Sequence, residues 1–213
     1  MAQVFSERAV LLLKVGALGA LILVAAGSVV AYQHLQGPDA LGVAPRQPVP
    51  FSHRHHVGDD GIDCRYCHDA VETSASAGLP TTHTCMTCHS QLFTDQAMLA
   101  PVRQSLATGE PLRWTRVHDL PDFVFFDHSI HVRKGVACIE CHGAIDRMPL
   151  VRRVASLEMQ WCLECHRDPE PHRRATSRVF EMRPTAEVRA EGGLPDTKIA
   201  STRRLTDCST CHR

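Results

Sequence analysis

Large aromatic side chains are scarce in this chain of 213 residues: they make up 5% of it, with two Trp and two Tyr. Much of the 44% apolar content lies in the first 33 residues. The rest of the chain therefore has too few core-forming side chains to build a large apolar interior by itself. This deficit predicts that another apolar component fills the interior.

An excess of charge of either sign is also absent. The 23 basic and 23 acidic residues give a formal net charge of zero, which argues against nucleic-acid binding and against a polybasic membrane patch. Lysine is rare, with 3 residues against 20 arginines. Since arginine pairs well with carboxylates in a bidentate way, these residues suit acidic side chains or acidic cofactor groups.

No cysteine stands alone. All ten fall into five Cys-x-x-Cys-His motifs, called the first to fifth frames in chain order. None is left over for a disulfide, a lipid anchor or an iron–sulfur cluster. The frames are Cys64-Cys67-His68, Cys85-Cys88-His89, Cys138-Cys141-His142, Cys162-Cys165-His166 and Cys208-Cys211-His212.

Cys-x-x-Cys-His is the attachment motif of c-type haem. Its spacing spans about one helical turn, which places both sulfurs along one porphyrin edge and lets the following His bind the iron. A zinc ribbon pairs two Cys-x-x-Cys motifs, so five would leave one over, and zinc gives no reason for each His. A thioredoxin-like dithiol would need a βαβ context that is absent here. The frames predict five covalently attached c haems, each with its frame histidine as proximal ligand.

Five macrocycles would also explain the weak side-chain core, because they would themselves form the apolar interior. The expected fold is a multihaem cytochrome c, mostly irregular and α-helical, in which short helices wrap five haems. Essentially no sheet is expected.

The first 33 residues predict one N-terminal transmembrane helix. Residues 15–32 form an uncharged stretch whose length is close to the minimum that spans a bilayer. Arg8 and Lys14 place the N-terminal end in the cytoplasm. A cleaved signal peptide is the alternative, but the apolar run continues past the possible cleavage site at Ala26. We expect a single-pass protein of the inner (cytoplasmic) membrane, with its haem domain on the periplasmic side.

The phrase Phe-x-His-x-x-His occurs twice, starting at Phe51 before the first frame and at Phe126 before the third. The frames also form two close pairs with a lone fifth, so the chain contains a duplicated two-haem module. The predicted divisions are an anchor (1–33), a linker (34–50), a first two-haem module (51–111), a second two-haem module (112–172) and a linking arm with the fifth haem (173–213).

Two histidines three residues apart lie on one helical turn, and they cannot both bind one iron that already has a proximal His. They can instead reach two different haems, which would hold those haems side by side and favour electron transfer. His55 lies between the two histidines of the first copy and should point away as a surface residue.

The phrase resembles that of the class III multihaem cytochromes, in which the first His binds the following haem and the second binds a neighbouring one. The resemblance implies a class III-like fold. It also implies that His53 serves the first frame and His128 the third. His56 and His131 would then serve other haems, which the resemblance does not identify.

A fifth distal ligand is still required. A lone Met is more often core filler than a haem ligand, although a Met ligand would raise the potential of its haem. At least four of the five haems are expected to have two His ligands. The candidates for the remaining position, in order of preference, are His118, Met159, Met148, His83 and His172.

The segment from Trp114 to Leu150, with the phrases around Cys64 and Cys162, resembles the membrane-anchored pentahaem c-type cytochrome of alternative complex III over nearly the whole chain. His83 does not fall on a motif position of that family. The following residues do: His53, His56, His118, His128, His131, Met148 and Met159.

This resemblance implies an electron-transfer subunit, without a substrate site of its own, in a quinol:electron-acceptor oxidoreductase. The implied partners include quinol-oxidising integral membrane subunits and an iron–sulfur, molybdopterin-like subunit. A monohaem cytochrome subunit, a soluble carrier or a terminal oxidase would accept the electrons.

Two other functions have less support from the residues. A catalytic multihaem enzyme, such as a pentahaem nitrite reductase, marks its open iron with Lys in place of a proximal His, and every frame here ends in His. A stand-alone membrane-anchored quinol dehydrogenase is the alternative, with Asp59, Asp60 and Asp63 as possible proton acceptors, although acidic loop residues are usually solvated. The arginine-rich run from Arg147 to Arg183 could bind haem propionates, dock a partner or form a solvated surface.

Overall fold

The computed structural model describes residues 6–36 and 41–212. Residues 1–5 of the predicted anchor, residues 37–40 of the predicted linker and Arg213 lie outside the described part. Within the described part no strand is present, and an isolated bridge between Val136 and Arg173 is the one β-type pairing. The prediction of a helical chain without a sheet is therefore confirmed.

Nine α-helices are present in the described residues, and most are short. They are α1 (Glu7–Gln36), α2 (Cys64–Cys67), α3 (Thr82–His89), α4 (Ala100–Thr108), α5 (His128–Arg133), α6 (Cys138–His142), α7 (Met159–Arg167), α8 (Thr185–Ala190) and α9 (Cys208–Cys211). A π-helical turn covers Arg54–Asp59, and 3-10 turns cover Ala97–Leu99, Ile145–Arg147, Glu170–His172, Thr176–Arg178 and Arg203–Thr206.

Helix α1 is the one long apolar helix in the described part. A stretch of 27 residues, Glu7–Gln33, has a mean hydropathy of 2.5, and none of it is buried. At 1.5 Å per residue such a helix measures about 40 Å, which exceeds the apolar thickness of a bilayer, about 30 Å. The helix is thus long and apolar enough to cross a membrane. A signal sequence can have the same length and composition.

The linker after α1 is tied to the rest of the fold from residue 41 onward. The side chain of Gln47 donates to the carbonyl oxygen of Thr115 at 2.8 Å and accepts from its N–H at 2.9 Å. The N–H of Gly42 donates to the carbonyl oxygen of Arg153 at 2.8 Å. Residues 41–50 therefore lie along the segments that precede and follow the third frame.

The side-chain core is small, as the composition predicted. One buried cluster joins Val71, Val132 and Val179, which come from the loop after the first frame, from α5 and from the arm. Ala77 and Phe180 pack against it. This cluster fixes the two modules and the arm to each other, but it is far smaller than the core expected for a domain of this length.

Two arginines hold the arm together from inside. Arg174 is fully buried and donates to the carbonyl oxygens of Arg178, Glu181 and Arg183. Arg173 is also buried and donates to the carbonyl oxygen of Lys134 at 2.6 Å. The alternative of a solvated surface was wrong for these two residues, because both are buried and their guanidinium groups contact backbone carbonyls, the carboxylate of Glu170 and the hydroxyl of Thr185.

Candidate functional site

Each frame lies on a single helical turn, as its spacing requires. The first, third and fifth frames form α2, α6 and α9, and the second and fourth occupy the C-terminal turns of α3 and α7. Residues three apart on a helix lie on one face, so the two sulfurs of a frame are on the same side. All ten cysteines are free thiols. Both sulfurs of every frame are therefore available for thioether bonds.

In the first copy of the Phe-x-His-x-x-His phrase, the ring of Phe51 packs against both histidines. It stacks on His56 with ring centroids 4.4 Å apart and meets His53 edge-on at 4.9 Å. The phenyl ring therefore fixes the direction in which each imidazole points.

The second copy repeats this arrangement closely. The ring of Phe126 stacks on His131 at 4.5 Å and meets His128 edge-on at 4.7 Å. The carboxylate of Asp127 caps α5 by accepting from the N–H of Ile130 at 3.2 Å, which is a common way to start a helix. The repeat seen in the sequence is thus also a repeat of side-chain geometry.

Each of the four phrase histidines faces the histidine of one frame. The ring centroids are 6.4 Å apart for His53–His68, 6.1 Å for His56–His89, 6.3 Å for His128–His142 and 6.2 Å for His131–His166. An imidazole binds a metal at about 2 Å, so two imidazoles on opposite sides of one metal ion have ring centres about 6 Å apart. The spacing therefore fits one iron between the rings of each pair.

The ring planes of the four pairs differ in orientation, with interplanar angles of 3°, 11°, 21° and 67°. If one iron bound both imidazoles of a pair, it would lie in both ring planes, on the line through the two bound nitrogens. Rotation of one ring about that line leaves both bonds intact, so all four angles are compatible with one iron. The structure places His56 opposite the second frame and His131 opposite the fourth, two pairings that the sequence did not identify.

Backbone carbonyls fix the protonation of most of these rings. A carbonyl oxygen only accepts, so a ring whose Nδ1 faces one carries its proton there and has a free lone pair at Nε2 for iron. Among the frame histidines the Nδ1 contacts are His68 to Gly78 (2.8 Å), His89 to Leu92 (3.2 Å), His166 to Leu205 (2.9 Å) and His212 to Phe123 (3.2 Å). Among the phrase histidines they are His56 to Ser52 (2.9 Å), His128 to Ala75 (2.8 Å) and His131 to Asp127 (2.7 Å).

Burial keeps several of these imidazoles neutral. Burial, with smaller effects of His68 and His56, lowers the pKa of His53 to about 4. Burial is also the main cause that lowers the pKa of His142 to about 3. A neutral imidazole can bind a metal and an imidazolium cannot. His53 and His142 are therefore in the form that iron binding requires at neutral pH.

The fifth frame has a different environment. Among the described residues, the ring that contacts His212 is that of Phe123, with centroids 5.8 Å apart. The N–H of Phe125 donates to the carbonyl oxygen of Cys211 at 2.7 Å. A phenyl ring cannot bind iron, so a distal ligand for this frame has to come from another residue.

Two of the candidates for that ligand lie beside the third frame instead. His118 packs edge-on against His142, with ring centroids 4.2 Å apart and an interplanar angle of 73°. Met148 is buried, and its terminal methyl group packs close to Gly143. A Cβ atom added to that glycine would lie 3.3 Å from the methyl carbon. These contacts do not favour His118, the first choice from the sequence, or Met148 as a ligand of the fifth frame.

The other three candidates differ in what surrounds them. His172 contacts the carboxylate of Glu140 at 3.1 Å, and His83 lines a cavity with Thr82. Met159 is 65% exposed at the start of α7. It precedes by one turn Cys162, whose pKa is raised by burial and then by the nearby thiol of Cys211. Of the five candidates, Met159 is thus the one that the structure leaves free close to the fifth frame.

The first and second frames are direct neighbours. Tyr66 lies between the cysteines of the first frame and Thr87 between those of the second, and their hydroxyl oxygens are 2.7 Å apart. Burial and then the thiol of Cys85 raise the pKa of Cys67. The two haem attachment sites of the first module therefore lie next to each other.

The first and third frames are also adjacent. Burial, then the thiol of Cys64, raises the pKa of Cys138 to about 12. The loop after the first frame accepts two hydrogen bonds at the carbonyl of Ala75, from the N–H of His128 at 3.2 Å and from its Nδ1 at 2.8 Å. This contact joins the two modules.

The last two contacts complete a linear series. Burial and then the thiol of Cys165 raise the pKa of Cys141 to about 12, so the third and fourth frames are neighbours. His166 of the fourth frame donates to the carbonyl of Leu205, just before Cys208 of the fifth. In space the frames therefore follow the order second, first, third, fourth, fifth.

The groups that make these contacts could not be recognised from residue types and spacing. The carbonyl oxygens that fix the imidazoles carry no side-chain signature. The hydrogen bond between Tyr66 and Thr87 joins residues 21 positions apart, at places in the frames where any residue is allowed. Both frames have a hydroxyl side chain just before the second cysteine. This was the one sequence signal available for the contact, and it is weak.

Comparison with known proteins agrees with this geometry. Residues 124–213 match the family described as "Cytochrome c7 and related cytochrome c". The chain is 36% identical over 111 residues to the "Menaquinone reductase, multiheme cytochrome c subunit" of Nitratidesulfovibrio vulgaris (strain Hildenborough). This similarity covers 52% of the chain and 52% of that protein, so the chain spans about half the length of its relative.

The family match extends over the third, fourth and fifth frames. The first two frames repeat the same motif and the same facing histidines. Their free cysteine pairs and oriented imidazoles fit c-type haem. Residues 124–213 are accordingly similar to cytochrome c7 and related multihaem cytochromes c, and the first two frames have the same attachment motif.

Proposed function

We propose that this chain is a membrane-anchored pentahaem cytochrome that relays electrons within a quinone-linked membrane complex. The observation that carries the proposal is the linear series of five neighbouring frames, four of which have facing histidine pairs. Each facing pair would supply two imidazole ligands to one iron and leave it without an open site, which suits electron transfer rather than substrate binding. Haem, when bound, supplies the one-electron chemistry.

The protein's own residues hold that series in place. The Phe51 and Phe126 rings orient two histidines each, and each such pair joins two successive frames of one module. His142, in the middle of the series, is only partly exposed to solvent. A dry, rigid setting reduces the reorganisation that accompanies each change of charge.

The apolar α1 supports placement at the inner membrane, with the haem-binding part on the periplasmic side. Its length fits a single crossing. The linker from residue 41 to residue 50 is tied to the haem-binding part by Gln47 and Gly42. A retained anchor would thus hold the cytochrome near the membrane surface.

The proposed complex is alternative complex III, with this chain as its pentahaem cytochrome and with no substrate site of its own. The long phrase from Trp114 to Leu150 supports this assignment. The partners would be quinol-oxidising integral membrane subunits and an iron–sulfur, molybdopterin-like subunit. A monohaem cytochrome subunit, a soluble carrier or a terminal oxidase would take the electrons.

A second candidate is a complex that reduces menaquinone, which the similarity to a protein of that name favours. In both complexes this chain would be the relay, and the two differ in the direction of electron flow. The 52% coverage of the relative is the reason to keep both directions open to experiment.

A stand-alone quinol dehydrogenase has less support. The three aspartates considered above as acceptors of quinol protons make local surface contacts. Asp59 and Asp60 lie 3.9 Å and 3.6 Å from ring nitrogens of His55, whose side chain is 53% exposed. Asp63 caps α2 and pairs with Arg65. These residues have roles in local structure that do not require a substrate.

Purification of the tagged full chain from membranes tests the proposal. We expect iron–sulfur and polytopic subunits to co-purify, and a quinol to reduce the haems only in their presence. Reduction of the chain alone by quinol would support the stand-alone dehydrogenase instead. Oxidation of the reduced complex by a menaquinone analogue, without reduction by quinol, would support the menaquinone-reducing complex.

A further inference from the structure

The carboxylate of Glu140 is held by both of its oxygens. Glu140 lies between Cys138 and Cys141 of the third frame. Its Oε1 accepts from the hydroxyl of Thr185 at 2.6 Å, and its Oε2 lies 3.1 Å from Nδ1 of His172. The side chain is 22% exposed. This negative charge is therefore fixed at a defined place inside a haem attachment motif.

Behind Thr185 lies the buried guanidinium of Arg174. The hydroxyl oxygen of Thr185 accepts from Nη2 of Arg174 at 2.7 Å and from its Nε at 3.1 Å, while its proton is directed to Glu140. Arg174 is 0% exposed. The network runs from the arm to the third frame and leaves the carboxylate little freedom to turn toward solvent.

The same carboxylate reaches two frames. After burial and Cys165, Glu140 is the next contributor that raises the pKa of Cys141. After burial, it is the largest contributor that raises the pKa of Cys165, to about 11. These thiols belong to the third and fourth frames. The charge of Glu140 is thus positioned where two of the three inner haems of the series would be attached.

We propose that Glu140 lowers the reduction potentials of the haems of the third and fourth frames, and that Thr185 and Arg174 hold it in position for this purpose. An oxidised haem iron carries one more positive charge than a reduced one, so a nearby carboxylate stabilises the oxidised form. The effect is strong where burial limits screening by water. This inference rests on the proposed haem series, and it assigns a potential-setting charge to the middle of that series.

The chain contains a matched control at the same motif position. Glu164 lies between Cys162 and Cys165 of the fourth frame, as Glu140 does between the cysteines of the third. Glu164 is exposed, and the contact of its carboxylate is with the amide of Gln160 at 3.4 Å. Glu164 lies within a haem attachment motif, but its charge is solvated and screened by ions.

The test compares Glu140→Gln with Glu164→Gln by spectroelectrochemical titration of the purified holoprotein. We expect two of the titrating components to shift to higher potential in Glu140→Gln, with little change in Glu164→Gln. The shift from Glu140→Gln should persist at high salt, because the group is shielded from ions. Glu140→Asp, which keeps the charge, should leave the potentials close to those of the unmodified protein.

Thr185→Val gives a second test. It removes the hydroxyl that holds the carboxylate and connects it to Arg174, so the carboxylate is free to turn toward solvent and the same two potentials should rise, by less than in Glu140→Gln. Equal shifts in Glu140→Gln and Glu164→Gln, or unchanged potentials in both Glu140→Gln and Thr185→Val, would overturn the inference. The titration needs no quinol and no partner, so its outcome is separate from that of the membrane-complex test.

Discussion

At the scale of single residues, the histidine pairs show how one helical turn joins two haem sites. His53 and His56 are three positions apart, yet they face His68 and His89, which belong to different frames. Any shift of that turn would change both sites together. The phrase is therefore a connector between frames as well as a source of ligands.

The first prediction concerns His56. In His56→Ala the second frame loses the imidazole opposite His89, so one haem should change from low spin to high spin while the others stay unchanged. Magnetic circular dichroism of the holoprotein measures this change. The matched control is His55→Ala, because His55 is the exposed neighbour in the same turn. A similar spectral change in the control, or none in His56→Ala, would contradict the assignment.

Residue types and spacing were enough to predict the five frames, the duplicated phrase and the small side-chain core. The pairing of His56 with the second frame and of His131 with the fourth depends on how the modules fold back on themselves, which spacing does not record. The same holds for His118, whose contact with His142 depends on tertiary packing. Arg174 was indistinguishable in sequence from solvated arginines, because its burial comes from the path of the arm around it.

At the scale of secondary-structure elements, α7 connects the last two frames. Its first residue is Met159, and its C-terminal turn carries the fourth frame. Its last turn also contacts the segment before α9 through the hydrogen bond between His166 and Leu205. Cys162, one turn after Met159, is near enough to Cys211 of the fifth frame for the two thiols to interact electrostatically, so the exposed start of α7 lies near both attachment sites.

We therefore predict that Met159 is the distal ligand of the fifth frame. Met159→Leu should remove the methionine–iron charge-transfer band and lower the potential of one haem or convert it to high spin, because thioether ligation raises the potential. Near-infrared magnetic circular dichroism measures the band. Met98→Leu is the control, because Met98 is similarly exposed, at 58%, but lies outside α7. Retention of the band in Met159→Leu would exclude this ligand.

The arm provides a prediction about stability. Arg174→Met would leave the carbonyls of Arg178, Glu181 and Arg183 without their buried donor. Buried polar groups without partners each cost about 1–3 kcal/mol, so we expect a loss of about 3 kcal/mol or more in the free energy of unfolding. Thermal unfolding of the holoprotein measures it. Arg152→Met, at an exposed arginine, should change stability by less than about 0.5 kcal/mol. Equal losses in the two variants would show that Arg174 does not hold the arm.

At the scale of the whole molecule, the order of the frames in space differs from their order in the sequence. The second frame is at one end of the series and the fifth at the other, while the third is at the centre between the two modules. The frames at the two ends have one neighbouring frame each, and the third has two. Loss of an inner haem would divide the series, whereas loss of an end haem would only shorten it.

This difference can be tested with two proteins that each retain four haems. Cys138→Ala with Cys141→Ala removes the central attachment site, and Cys85→Ala with Cys88→Ala removes the one at the end. A pyridine haemochrome assay must first show four haems in each variant. After flash injection of electrons, redistribution among the haems should be much slower in the central variant, because its electrons have to cross a gap between the first and fourth frames. The end variant should redistribute electrons about as fast as the unmodified protein. Equal rates in the two four-haem proteins would mean that the haems form a branched cluster and not a linear series.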